Sequence, residues 1–155
     1  MTELEVLKGL VGAVIEGACG DYVRIDGTSF DRNCRARKRL EDFFRSDRFS
    51  LYTGGNIDPE YIIKELQIKR DWNELVRAAV LEKFGTFQKF AEALYPDSHK
   101  KREFAGGDAK YWLKSSKYPE DYLEWERVLE ISRCMKCGFA FRGKRCPDCG
   151  ERITE

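Results

Sequence analysis

Four of the six cysteines in this 155-residue chain fall into two matched pairs, Cys134-x2-Cys137 and Cys146-x2-Cys149. Each pair runs straight into a glycine, Gly138 and Gly150. Two residues between cysteines let both sulfurs face one ion. The glycine accepts the positive φ of a tight turn and leaves backbone N–H groups free to bond sulfur. Two such turns build a tetrahedral four-thiolate shell. The spacing therefore predicts structural Zn2+ held by Cys134, Cys137, Cys146 and Cys149, with Zn–S near about 2.3 Å. Iron in the same shell and a pair of disulfides are the rival readings. Four thiolates leave no coordination position for a substrate, so the expected role is to fold a tail too small for its own core. Cys19 and Cys34 sit at core-facing helical positions and read as small apolar side chains.

The loop between the pairs, Gly138 to Arg145, has eight residues, fewer than the common spacing of about 15–20. It is long enough for a hairpin through Phe139-Ala140-Phe141 and Arg142-Gly143-Lys144. From Cys134 to about Ile153 the chain resembles zinc ribbons with rubredoxin-type knuckles, which implies a small β-hairpin closed by zinc. Arg142, Lys144 and Arg145 at its tip could grip phosphate or an acidic protein surface. Phe139 and Phe141 are expected to pack the hairpin, because so small a ribbon needs every apolar contact.

Other chemistry is sparse. His99 is the only histidine, so a familiar hydrolytic metal site is not expected. There is no glycine-rich phosphate loop, no His-Glu-x-x-His and no recognisable nucleophile setting. Glu120, Asp121, Glu124 and Glu126 cluster at a helix start, where they complement its dipole. A non-enzymatic protein is expected, and no small-molecule substrate is indicated.

Positive charge is the remaining resource. The net charge is only +1, but it is unevenly placed. Residues 28–50 hold seven Lys/Arg against four Asp/Glu, whereas residues 1–27 and 120–133 each hold two against five. Arg32, Arg35 and Arg39 share one helix face and suit phosphate. The plainer and preferred reading of that run is a solvated face balanced by Asp31, Glu41 and Asp42. Lys100, Lys101 and Arg102, together with Lys110, Lys114 and Lys117, form a second basic region with Tyr111 and Trp112 interleaved. Its rival reading is a charged surface loop.

The elements that must position these groups are mainly helical. Thr2 and Glu5 form a capping box ahead of Leu4, Leu7, Val11, Val14, Ile15 and Ala18 at helical spacing. Gly9, Gly12 and Gly17 would allow close packing against a neighbour. Asp26-Gly27 is a turn and Ser29 caps a helix running to about Arg45. Gly54-Gly55 breaks the chain, and Asp58-Pro59 opens a third helix. Asp71 and Glu74 form another capping box, opening a helix that Gly85 ends. Thr86 caps the next, which Tyr95-Pro96 stops, and a closing helix is expected at about Glu120 to Ile131. The fold class is mainly α: a helical region over 1–70, a second over 71–132, and the four-cysteine β-hairpin over 133–155.

Leu75 to Phe84, Phe87 to Leu94 and Tyr111 to Pro119 resemble the phage-repressor type of helix-turn-helix, with Pro96 to Gly107 standing where that family has a tight turn. Phe43 to Ser46 and Asp58 to Ile63 are similar to small proteins of Firmicutes phages and mobile elements. These resemblances imply a regulator binding duplex DNA. The alternative they imply is an inhibitor of host defence, similar to anti-CRISPR proteins, docking on a nucleoprotein complex and blocking target DNA. No apolar run approaches the roughly 20 residues that span a bilayer, and Met1-Thr2-Glu3 is acidic where a secretory signal is basic. With free thiols, this predicts the cytoplasm, that of a host cell if phage-encoded.

Overall fold

The protein is mainly helical, and a two-stranded antiparallel sheet stands beside the cysteine cluster. The structure, a computed structural model, describes residues 2–24, 30–97, 107 and 109–153, with backbone alone for Leu7 and for 30–34. The Asp26-Gly27 turn, the Ser29 cap and the side chain of Cys34 lie outside the described residues.

Helix α1 (Glu3–Val23) begins at the expected capping box. Thr2 Oγ1 accepts from the Glu5 N–H at 3.3 Å while the Thr2 N–H donates to Glu5 Oε2 at 2.8 Å. Among its described side chains, the apolar face expected from Leu4 onward is buried at its far end. Leu4 and Val14 are exposed, whereas Ile15 and Ala18 pack on a core containing Cys19, Tyr22 and Val23. Apart from chain neighbours and the helix's own backbone, no described atom lies within 4 Å of where a Cβ would stand on Gly9, Gly12 or Gly17, so no described neighbour packs against these glycines.

Helix α2 (Phe30–Phe44) is followed by a short helix not foreseen from the sequence, α3 (Asp47–Thr53). Ser46 caps it by accepting from the Phe49 N–H at 3.3 Å, and Gly54 closes it at φ 67°. Helix α4 (Pro59–Lys83) starts as expected, with Asp58 Oδ1 accepting from the Glu60 N–H at 3.0 Å. It then runs unbroken past Asp71, so the second capping box does not form a helix start. The residues from Tyr61 to Glu74 include no glycine or proline, and good helix formers carry the helix straight through.

Gly85 ends α4 at φ 78°, its N–H donating to the Val80 carbonyl at 3.1 Å. Thr86 Oγ1 caps α5 (Phe87–Leu94) by accepting from the Lys89 N–H at 3.2 Å. A helical turn at 109–112 precedes α6 (Tyr122–Val128). Strand β1 (Ser132–Arg133) pairs with β2 (Ala140–Phe141).

Two compact units result, Met1–Arg70 with Lys114–Ser116 and Asp71–Leu113 with Lys117–Glu155. In the first, Tyr22, Phe44 and Phe49 are fully buried, and the Phe44 and Phe49 rings meet edge to face at 5.3 Å. Arg70 Nη1 donates to the carbonyls of Tyr22 (2.8 Å) and Arg24 (3.3 Å), satisfying the end of α1,. In the second, Trp72, Val76, Phe90, Trp125 and Leu129 form the centre, with the Trp72 and Trp125 rings stacked at 5.9 Å. Burying each such side chain is worth about 1.5–3 kcal/mol. Asn73 Nδ2 donates to the Leu113 carbonyl at 3.1 Å, pinning the segment that follows the 109–112 turn.

Candidate metal centre

The four cysteine sulfurs converge. One ligand atom from each of Cys134, Cys137, Cys146 and Cys149 lies within 4.8 Å of every other. Cys134 Sγ is 3.4 Å from Cys149 Sγ, and Cys137 Sγ is 3.6 Å from Cys146 Sγ. A disulfide needs about 2.05 Å, so these are not bonded pairs. A tetrahedron with metal–sulfur bonds of about 2.3 Å has edges of about 3.8 Å, and the 3.4 and 3.6 Å separations lie near that length. The donor set therefore fits a four-coordinate thiophilic metal ion.

The two knuckles share one hydrogen-bond pattern. The Cys134 N–H donates to the Phe139 carbonyl (2.9 Å) and the Gly138 N–H returns to the Cys134 carbonyl (2.8 Å). Twelve residues on, the Cys146 N–H donates to the Glu151 carbonyl (2.8 Å) and the Gly150 N–H to the Cys146 carbonyl (2.9 Å). Gly138 and Gly150 hold φ of 74° and 75°, as the turn requires,. Backbone amides then face sulfur: those of Cys137 and Lys136 at Cys134, Phe139 at Cys137 and Glu151 at Cys149. The Cys137 amide, ahead of the other contacts, draws the Cys134 thiol down to about 7. At Cys137 the Phe139 amide favours the thiolate, but desolvation and the neighbouring sulfurs outweigh it and push the thiol up to about 12. Four adjacent thiolates repel one another, and a divalent cation removes that conflict.

The sheet is not built as expected. Phe139 to Lys144 does not fold back on itself as a ladder. Instead Arg133 and Ser132, before the first knuckle, pair with Ala140 and Phe141 after it. The knuckle is thus the turn of the hairpin, and Gly143 at φ 123° shapes the separate tip. Phe141 is buried with Cys134 and Cys146, and Phe139 packs beside them, as their hairpin role predicts.

Side chains anchor this ribbon to the helices of its unit. Arg133 Nε donates to Glu126 Oε2 at 3.0 Å, and the guanidinium lies 5.3 Å from the Tyr122 ring centre. Arg142 Nη1 donates to Glu82 Oε2 at 2.5 Å and holds that carboxyl below its usual range. Lys83 Nζ caps the end of α6 at the Val128 carbonyl (2.9 Å) and pairs with Glu130 at 3.3 Å.

The remaining basic residues are dispersed. Arg35 and Arg39 are exposed on α2, and Arg32 has no described side chain. Lys100, Lys101, Arg102 and His99 lie outside the described residues. Lys110 and Lys117 are exposed in the second unit, while Lys114 falls in the first. Lys144 and Arg145 are exposed on the ribbon, where Arg145 bridges to Arg152. Lys110 lines a groove of about 510 Å³ with Arg77, Leu81 and the Gly85–Gln88 step that opens α5. Sequence reading missed Arg77, because its partners across the groove are distant in the chain. The acidic run also divides: Glu124 pairs with Arg127, Asp121 accepts from the Tyr95 hydroxyl, and Glu126 is buried. Among the described residues no helix is long and apolar enough to cross a membrane.

Comparison with known protein families, with curated proteins and with solved structures finds no match to this chain.

Proposed function

We propose that this is a non-enzymatic zinc-binding protein whose helical part binds duplex DNA as a regulator. The observation that carries the zinc assignment is the closed quartet of sulfurs within 4.8 Å of one another. Four thiolates in tetrahedral array select zinc or iron, and with no open position the ion is structural. Elemental analysis of freshly purified protein should give one zinc per chain. Stoichiometric iron, with the visible colour of a ferric tetrathiolate, overturns the zinc assignment.

DNA binding is supported by the helix pair that turns at Gly85-Thr86 and by the groove beside it, where Arg77 and Lys110 flank the start of α5. Cations and helix N-termini are the groups that hold phosphates in register on a duplex. The resemblance to a phage-repressor helix-turn-helix points the same way. A gel shift at low salt tests it: association that weakens steeply as salt rises is expected, through counterion release. No association with any duplex removes the reading.

A second reading has one observation in its favour. Leu4, Val6, Leu10 and Val14 are exposed on the first half of α1, beside Glu3 and Glu5. Duplex DNA offers nothing to such a surface, whereas a protein does. The corresponding function is an anti-CRISPR-like inhibitor that docks on a host nuclease complex. Co-purification with an effector nuclease, and loss of its cleavage activity, separates this reading from the first.

A further inference from the structure

The first half of α1 carries more apolar surface than its own fold uses. Leu4, Leu10 and Val14 are 61, 59 and 51 % exposed. The helix is held from its other end, where Ile15, Ala18, Cys19, Tyr22 and Val23 join a core. The capping box at Thr2 and Glu5 fixes the outer end as helix. Its apolar side chains are therefore presented on a preformed rod, and a partner does not have to order the helix first.

The order of these residues is that of a two-stranded coiled coil. Leu4, Leu7, Val11 and Val14 follow one another at steps of three, four and three, the a and d positions of two heptads,. Leu7 enters by its place in the sequence alone. Glu5, Gly9, Gly12 and Glu16 take positions opposite that seam. Glu3 then stands at a g position and Lys8, five residues on, at the following e position, and both are exposed. In a parallel helix pair these two positions meet across the seam, so Glu3 of each copy faces Lys8 of the other. The next such pair, Leu10 with Ile15, is apolar. An antiparallel pair of the same seam sets e against e, which opposes Lys8 to Lys8 of the other copy. Sliding that pair one heptad towards the core end relieves the clash only by drawing Asp21 into the seam.

We infer that this seam of α1 binds the same seam of a second copy of the chain as a parallel helix pair. Charge selects both occupant and direction, because the seam complements itself through Glu3 and Lys8 only when the two helices run the same way. Two heptads make an interface at the small end of specific pairs, so a dissociation constant of about 10–100 µM is expected. The inference does not rest on the DNA reading.

Sedimentation velocity of the full zinc-loaded chain, freed of nucleic acid, from about 1 to 300 µM tests it. A monomer that passes into a dimer as concentration rises is expected. Val14→Glu should weaken the dimer more than about tenfold, by placing a charge in the seam. Because Val14 is half exposed in the single chain, melting at the lowest concentration should hold, so lost pairing cannot be mistaken for lost fold. Glu3→Lys and Lys8→Glu should each weaken self-association about tenfold by setting like charges together. An equimolar mixture of those two variants should recover it, since each then offers the charge the other lacks. A monomer at every concentration, or a dimer untouched by Val14→Glu, overturns the pairing. A chain that stays monomeric yet captures a host nuclease, with capture lost in Val14→Glu, gives the face to the second reading instead. Glu3→Lys dimerising as the parent does overturns the parallel direction.

Discussion

Glu126 and Arg133 join the helical core to the metal ribbon through a buried carboxylate gripped from two sides. Arg133 approaches both oxygens, Nε to Oε2 at 3.0 Å and Nη2 to Oε1 at 2.6 Å. From the other side the Trp72 indole N–H donates to Oε1 at 3.0 Å. Arg133 Nη1 continues to the Gly138 carbonyl at 3.3 Å, reaching the first knuckle glycine. The helix face is thereby linked to the turn that presents Cys134.

Removing that carboxylate strands a guanidinium and an indole donor together. Glu126→Ala should cost about 2–3 kcal/mol, less than the full penalty for a broken buried pair because Arg133 is partly solvated. Glu126→Gln keeps an acceptor for Trp72 and should lose about half as much. Urea denaturation of the zinc-loaded protein measures both. A loss below about 0.5 kcal/mol in Glu126→Ala would assign the contact no structural weight.

The knuckle glycines make a test with opposite signs at two kinds of position. Gly138 and Gly150 hold φ of 74° and 75°, and apart from chain neighbours no described atom lies within 4 Å of a Cβ at either. Alanine there strains the backbone alone, at about 1–2 kcal/mol per site. Gly12 has the same empty surroundings but lies inside α1. Gly12→Ala should therefore stabilise, by up to about 1 kcal/mol. Thermal melting of the three variants checks the contrast, and destabilisation by Gly12→Ala would show that unseen contacts govern that helix.

What could be read in advance follows from how local the determinants are. The Thr2, Asp58 and Thr86 caps and the Gly85 stop were legible because a cap is settled within a few residues. The sulfur quartet was legible for the same reason, as each knuckle needs only a spacing and a glycine. The Asp71–Glu74 box misled because a helix already under way overrides a start signal in its middle. The ribbon strands were mispaired because the partner of Ala140–Phe141 lies upstream of Cys134, beyond the window that suggested a hairpin. Glu126 read as one acid among several, since nothing near it in sequence announces Trp72, fifty-four residues away. Leu4 and Val14 are exposed despite the apolar spacing of α1, because spacing says nothing about whether a neighbour is there to meet it.

Lys69 gives a pH dependence of defined sign. It is 1 % exposed, and burial drives its ammonium pKa from 10.5 down to about 7. Between those values the unfolded chain carries a proton that the folded chain has shed. Folding stability linked to Lys69 therefore rises with pH across that window, and below it both states are protonated and the burial cost stands in full. Lys69→Met retains the side-chain length without the charge. Its advantage over the parent should be a few kcal/mol at about pH 6.5 and should shrink towards pH 10. Comparing the two proteins cancels the thiols that titrate in the same range. An advantage that stays constant with pH would contradict the assignment.

Ribbon and groove cations should respond differently to charge removal, and the difference tests the DNA reading from within. Arg142 is occupied by Glu82 at 2.5 Å, so Arg142→Ala acts on how the ribbon is held. The pair is partly solvated, and a cost of about 0.5–1 kcal/mol in stability is expected, with duplex affinity unchanged. Lys110 is exposed in the groove beside the start of α5, with Arg77 across from it. Lys110→Glu should leave melting within about 0.5 kcal/mol of the parent. If Lys110 neutralises one phosphate, the same change should lower the slope of log K against log salt by about 1, and weaken all duplex sequences nearly equally. A titration of both variants at several salt concentrations reads affinity and slope together. Lys110→Glu with an unaltered slope, or Arg142→Ala with a reduced one, would move the nucleic-acid face off the α5 groove and onto the ribbon tip.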